Sequence, residues 1–232
     1  RYEKWVDEMK IESASLDTKY HETADKNIDA CLKSLNRMRE GMEVIRNNKN
    51  ARDAFILMNR SIYIQHINSK LELNKWAYNS ANNAWELLSP SLELDYNDPE
   101  TYKKTAIDYI PSWYPFQLSF ILLNLKSIVE KSSNDRDIVE CLWFPTGGGK
   151  TEAYLALIAF SIFYRRLVDN NASGVTAFMR YTLRLLTIQQ FQRASLLICC
   201  CEDIRRNQGG LGDTEITVGL WVGEGATPNS RE

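Results

Sequence analysis

Three successive glycines, Gly147, Gly148 and Gly149, followed at once by Lys150 and Thr151, are the residues of this 232-residue chain best suited to chemistry. A triphosphate carries concentrated negative charge. Backbone N–H groups converging at a helix N-terminus hold such a charge well, and the helix dipole adds to them. Glycines let the backbone come that close, Lys150 would neutralise the β and γ phosphates, and the Thr151 hydroxyl would ligate Mg²⁺. Thr146 opens the cradle, and Lys150 and Thr151 are the candidate catalytic pair. Three adjacent glycines without a ligand would be an entropic burden, which argues against a plain connection between two elements. Phe144 stands where the strict pattern G-x-x-x-x-G-K-[ST] has its first glycine. Glu152 reads as a favourable carboxylate in the first turn of the following helix.

The elements that must position this loop can be read from periodicity. Ile138-Val139-Glu140-Cys141-Leu142-Trp143-Phe144 is a short β-prone run leading into the glycines, and Thr151 to Leu167 is apolar at helical spacing behind them. Phe116 to Glu130 and Leu183 to Arg206 predict further helices, while Val175 to Met179 and Ile216 to Val222 predict strands. Strand and helix alternate. Such alternation predicts an α/β fold with a mostly parallel sheet covered on both faces and ligands beyond the carboxyl ends of its strands. Ten of the eleven glycines fall at or beyond Gly147, so the front of the chain is built differently. There Ile28, Cys31, Leu32, Leu35, Met38, Met42 and Ile45 predict one long helix, and Ala54, Phe55, Met58 and Ile62 a second packed beside it. Pro90, Pro99, Pro111 and Pro115, with Asp95, Asn97 and Asp98, mark a linker. The predicted division is an all-helical accessory module over 1–98 and the ATP-binding part over 99–232.

Composition bounds the rest. A 44% hydrophobic, 25% charged chain without an apolar run of about 18 residues is globular and has no expected membrane partner. The opening Arg1-Tyr2-Glu3-Lys4-Trp5 lacks an initiator methionine and the order of a secretory signal, which reads as a piece of a longer protein. Cys199, Cys200 and Cys201 are adjacent, and no cysteine has metal-type spacing with His21 or His66, so reduced thiols and a cytoplasmic setting are expected. Net charge is only −2, yet seven arginines between Arg165 and Arg206 face three acids, a local excess that suits a polyanion or a solvated helix face.

The string Pro145-Thr146-Gly147-Gly148-Gly149-Lys150-Thr151 resembles motif I of superfamily 2 helicases, in which the first glycine of the strict pattern is commonly missing. Thr182-Leu183-Arg184-Leu185-Leu186-Thr187-Ile188-Gln189 is similar to their motif Ia, although Thr182 and Leu183 replace its proline and threonine. That resemblance implies that Arg184, and secondarily Thr182, touch a nucleic-acid backbone. Trp113-Tyr114-Pro115-Phe116-Gln117 resembles the adenine-recognising Q motif, which implies a base stacked on an aromatic ring and read by the Gln117 amide. Taken with Leu220-Trp221-Val222-Gly223, these segments look like the large helicase subunit of bacterial DISARM phage-defence systems. The resemblance implies a RecA-like P-loop lobe, ATP and Mg²⁺ as cofactors, DNA rather than RNA as the track, and a partner defence protein.

Superfamily 2 motors also need an Asp-Glu pair ending a later strand. No such element follows motif Ia before Glu232, so the expected chain is incomplete and inactive in hydrolysis by itself. The alternatives are a P-loop small-molecule kinase or signalling NTPase without a nucleic-acid role, and a docking module whose helical front grips a partner.

Overall fold

The computed structural model describes residues 1–71, 75–88, 94–105, 107–145, 147–181 and 184–222, with Arg184 and Leu185 described by their backbone alone. Its elements are α1 (Tyr2–Ser13), α2 (His21–Asn47), α3 (Lys49–Asn68), β1 (Trp76–Asn79), β2 (Ala84–Leu87), α4 (Pro115–Val129), α5 (Lys150–Val168) and α6 (Arg184–Asn207). No helix among the described residues is long and apolar enough to cross a membrane. The chain forms two compact units. The first is Arg1–Asn59, Trp113–Met179 and Arg205–Glu215; the second is Arg60–Ser112, Arg180–Ile204 and Ile216–Glu232.

The first unit is a helical layer. Helix α2 buries Leu35, Met38, Gly41 and Val44, and packs on α4 through Ile121 and Leu125. Its inward stripe passes through Gly41 and leaves Met42 exposed. The cause is steric: a Cβ at position 41 would sit 1.9 Å from the Leu122 carbonyl oxygen, so only glycine lets the two backbones approach this closely. Helix α4 packs in turn on α5, whose buried face holds Ala153, Leu155, Ala156, Ala159, Phe160, Ile162 and Phe163. Between α2 and α3 the chain breaks at Asn48, whose side-chain oxygen accepts the Ala51 N–H at 3.0 Å and so caps α3. Arg37 on α2 ties this layer to the segment ahead of the glycines. It donates to Asp135 at 2.9 Å and makes an ionic contact with Glu140 at 2.5 Å that lacks hydrogen-bond alignment.

In the second unit Ile67, Tyr102 and Ile107 form a core with Tyr63, Leu94 and Tyr96 against it. Gln65 is buried and donates to the Arg193 carbonyl at 2.9 Å, which fixes α3 to α6. Strands β1 and β2 form an antiparallel hairpin in which Trp76 opposes Leu87 and Tyr78 opposes Trp85. Directly opposed residues share a face, so three aromatic rings and a leucine lie on one side of this ribbon.

The structure overturns the expected fold class. The only strands among the described residues are β1 and β2, an antiparallel pair, and no parallel sheet of the P-loop or RecA-like kind is present among them. The hairpin also means that the front module is not all-helical. The three expected strands, 138–144, 175–179 and 216–222, take part in no ladder. The physical reason lies in what β-propensity measures: it marks residues that suit a pleated, half-buried surface, whereas a strand exists only where a neighbour supplies hydrogen bonds. Here Val139 and Trp143 are each 93% exposed, so nothing covers the side chains that made the run look like a core strand.

Candidate functional site

The glycine loop connects an extended segment to the N-terminus of α5. Gly147 has φ +82° and Gly149 φ +89°, the left-handed region in which a side chain would be strained. Gly148 is constrained differently, since a Cβ there would lie 2.4 Å from the Phe144 ring, and its N–H donates to the Pro145 carbonyl at 3.2 Å. Each of the three glycines therefore meets a requirement of its own. Gly149 is the N-cap of α5 and supplies no side-chain acceptor, so the first amides of α5 have no side-chain cap. Lys150, half-buried, turns its ammonium back onto the loop, donating to the Phe144 carbonyl and, at 3.2 Å, to that of Pro145. Thr151 is the second residue of α5 and half-buried; a Cβ at Gly149 would come 3.5 Å from a Glu152 carboxylate oxygen, which places that acid beside the loop.

Gln117 is the third residue of α4 and comes directly to this loop. Its amide oxygen accepts the Tyr114 N–H at 2.8 Å, and its amide nitrogen donates to the Gly149 carbonyl at 2.7 Å. Pro115 at the first position of α4 suits a helix start, since its missing N–H would have had no partner there. The rings of Tyr114, Phe116 and Phe144 form a stack: Phe116 and Phe144 have centroids 3.9 Å apart at 15°, Tyr114 and Phe116 6.2 Å at 9°. Trp113, beside them in sequence, donates its indole N–H to Asn59 at 2.7 Å and anchors the start of α4 to α3.

The structure thus brings Gln117, Gly147, Gly148, Gly149, Lys150 and Thr151 together at one helix start. Thr146 and Thr182 lie outside the described residues. Arg184 is the first residue of α6, and its side chain is outside the description as well. Several arginines of the basic run are engaged internally. Arg165 donates to the carbonyls of Val175 and Ser173 and to the Thr176 hydroxyl, Arg205 to the Gly212 carbonyl at 2.8 Å, and buried Arg166 to the Glu215 carbonyl at 3.4 Å. The local charge excess is therefore partly structural and does not form a uniform basic strip. Sequence reasoning treated Phe144 only as a departure from a pattern; here it stacks on Phe116 and fills the space over Gly148. The aromatic type at that position, next to an aromatic at 116, was the available signal.

A known protein aligns with nearly the whole of this chain. The chain is similar to DISARM protein DrmA. The relative comes from Bacillus paralicheniformis (strain ATCC 9945a / NCIMB 11709 / CD-2), and the identity is 37% over 237 aligned positions. The alignment takes in 99% of this chain, glycine loop and flanking helices included, but spans only 19% of the length of DrmA. No protein-family model matches the chain.

Proposed function

We propose that this chain binds the polyphosphate of ATP at Gly147–Thr151 and belongs to the motor of a DNA helicase or translocase acting in anti-phage defence. The observation that carries the reading is the loop itself. Two left-handed glycines and a third whose added Cβ would run into the Phe144 ring lead into an amide-rich helix start, with an ammonium beside it. A phosphate oxygen would take the Lys150 ammonium from the Phe144 and Pro145 carbonyls, exchanging neutral acceptors for charged ones, and charge-assisted bonds are roughly twice as strong as neutral ones. The donor set fits phosphate better than a bare metal: Thr151 offers one hydroxyl, so Mg²⁺ would enter with the nucleotide, held largely by phosphate oxygens. When bound, that ion supplies charge neutralisation at the β and γ phosphates. The likeness to DrmA supports the defence setting, and the similarity of the 182–189 string to motif Ia supports a backbone contact with DNA.

Titration of a fluorescent ATP analogue in the presence of Mg²⁺ tests the first step. Lys150→Ala should weaken binding by about a hundredfold, roughly two charge-assisted hydrogen bonds; unchanged affinity would sink the reading. The DNA step is tested by labelled DNA and the longer protein. Binding should fall steeply with salt and be weakened by Arg184→Glu.

A further inference from the structure

The run Ile138-Val139-Glu140-Cys141-Leu142-Trp143-Phe144, which enters the glycine loop, is turned inside out. Val139 and Trp143 are 93% exposed, whereas Glu140, the one charged residue of the run, has its side chain only 21% exposed and one carboxylate oxygen buried. A carboxylate turned inward without a partner is strongly destabilising, so an opposite charge must hold it there. Among the described residues that charge is Arg37 of α2.

Arg37 gathers several parts of the first unit. Its Nε donates to Asp135, in the turn after α4, at 2.9 Å; Nη2 donates to the Leu123 carbonyl of α4 at 3.4 Å; and Nη1 lies 2.5 Å from Glu140. Four residues beyond Glu140 the Phe144 carbonyl accepts the Lys150 ammonium, and the glycines begin three residues later. The run takes part in no ladder, so no sheet neighbour sets its place. Its charged fastenings among the described residues are Arg37 at Glu140 and Lys150 at Phe144. A phosphate that draws Lys150 off the Phe144 carbonyl undoes the second, which leaves the first to keep the run in place.

Resting on the phosphate reading above, we propose that Arg37 is a positioning residue for the glycine loop: through Glu140 it holds the entering run once polyphosphate has drawn Lys150 away, and so makes binding depend on the seating of α2. The apparent affinity of a ligand falls with the fraction of molecules in the binding-competent arrangement, so a run released at Glu140 weakens binding without touching the ligand.

The two acids on Arg37 supply the control. Asp135 and Glu140 are almost equally exposed and meet the same guanidinium, but only Glu140 stands on the entering run. Removing either carboxylate takes a negative charge away from a polyanion, so lost affinity cannot come from charge alone. Inorganic tripolyphosphate with Mg²⁺ is titrated calorimetrically, beside urea unfolding, on the full chain and on Asp135→Asn, Glu140→Gln and Arg37→Met. Glu140→Gln and Arg37→Met should each weaken tripolyphosphate about fivefold, as when about one molecule in five keeps the run seated, whereas Asp135→Asn should lower the unfolding midpoint and still bind within about twofold of the wild type. Equal weakening by Asp135→Asn and Glu140→Gln would reduce Arg37 to general support of the fold and overturn the proposal, as would unchanged binding by Glu140→Gln. Failure of the wild type to bind tripolyphosphate overturns the phosphate reading, and this proposal with it.

Discussion

Two neighbouring parts of the first unit obey opposite rules. The helical layer of α2, α4 and α5 satisfies its backbone internally and hides one face of each helix, so Ile121, Leu125, Phe160 and Phe163 are fully buried. The extended segments 138–144 and 175–179, just as apolar, show Val139, Trp143 and Phe178 almost wholly to solvent. A helix needs a neighbour only for its side chains, whereas an extended segment needs one for its backbone too. Apolar composition alone therefore does not make a core.

The contrast can be broken most strongly at Gly41. Gly41→Leu forces α2 and α4 apart and should cost about 3 kcal/mol in urea unfolding, the upper range for overpacking; a loss below about 1 kcal/mol would mean that the helix contact is looser than the 1.9 Å approach implies. Arg37→Met comes next. The side chains of Arg37, Asp135 and Glu140 are 15–21% exposed, between the exposed pairs worth under about 1 kcal/mol and the fully buried ones worth about 3–5, so a loss of about 2 kcal/mol is expected.

A thiol sharpens the comparison in the second unit. Burial pushes the Cys201 thiol well above its ordinary value near 9, with a hydrogen bond from Ser61 opposing the shift. The folded state thus keeps its proton while the unfolded chain loses it. The contribution is intact below about pH 9 and is lost as pH rises above that, by about 1.4 kcal/mol per pH unit at most. Thermal unfolding between pH 8 and 10.5 should show a shallower fall for Cys201→Ala than for the wild type; parallel slopes would assign the fall to other groups. The smallest effect belongs to Trp143→Ser, at a 93% exposed position, with a change within about 0.5 kcal/mol. A larger loss would show that this side chain is covered in solution.

Helical period was the most legible signal. The apolar recurrences over 28–45, 54–62 and 151–167 lie in α2, α3 and α5, and those over 116–130 and 183–206 coincide with α4 and α6 to within a residue at one end, Leu183 being outside the described residues. The hairpin was overlooked, although Trp76 and Tyr78 on one side of an Asn-rich turn and Trp85 and Leu87 on the other alternate with period two. Expected strands failed because pairing is a property of two segments, and residue type describes only one. In the site, the order of glycines, lysine and threonine was visible in the string. The bond from Gln117 to Gly149 was not, because it spans 32 positions and depends on how α4 meets α5. Arg37 escaped for the same reason, its partners lying about a hundred residues downstream.

The missing methyl group at position 41 acts at a distance. Leu122, which it admits, stands five residues along α4 from Gln117, about 7.5 Å of rise along a stiff rod. The gap thereby gauges how far that rod slides, and with it the seat of the Gly149 carbonyl: one absent carbon on α2 sets the alignment of the cradle on the far side of α4.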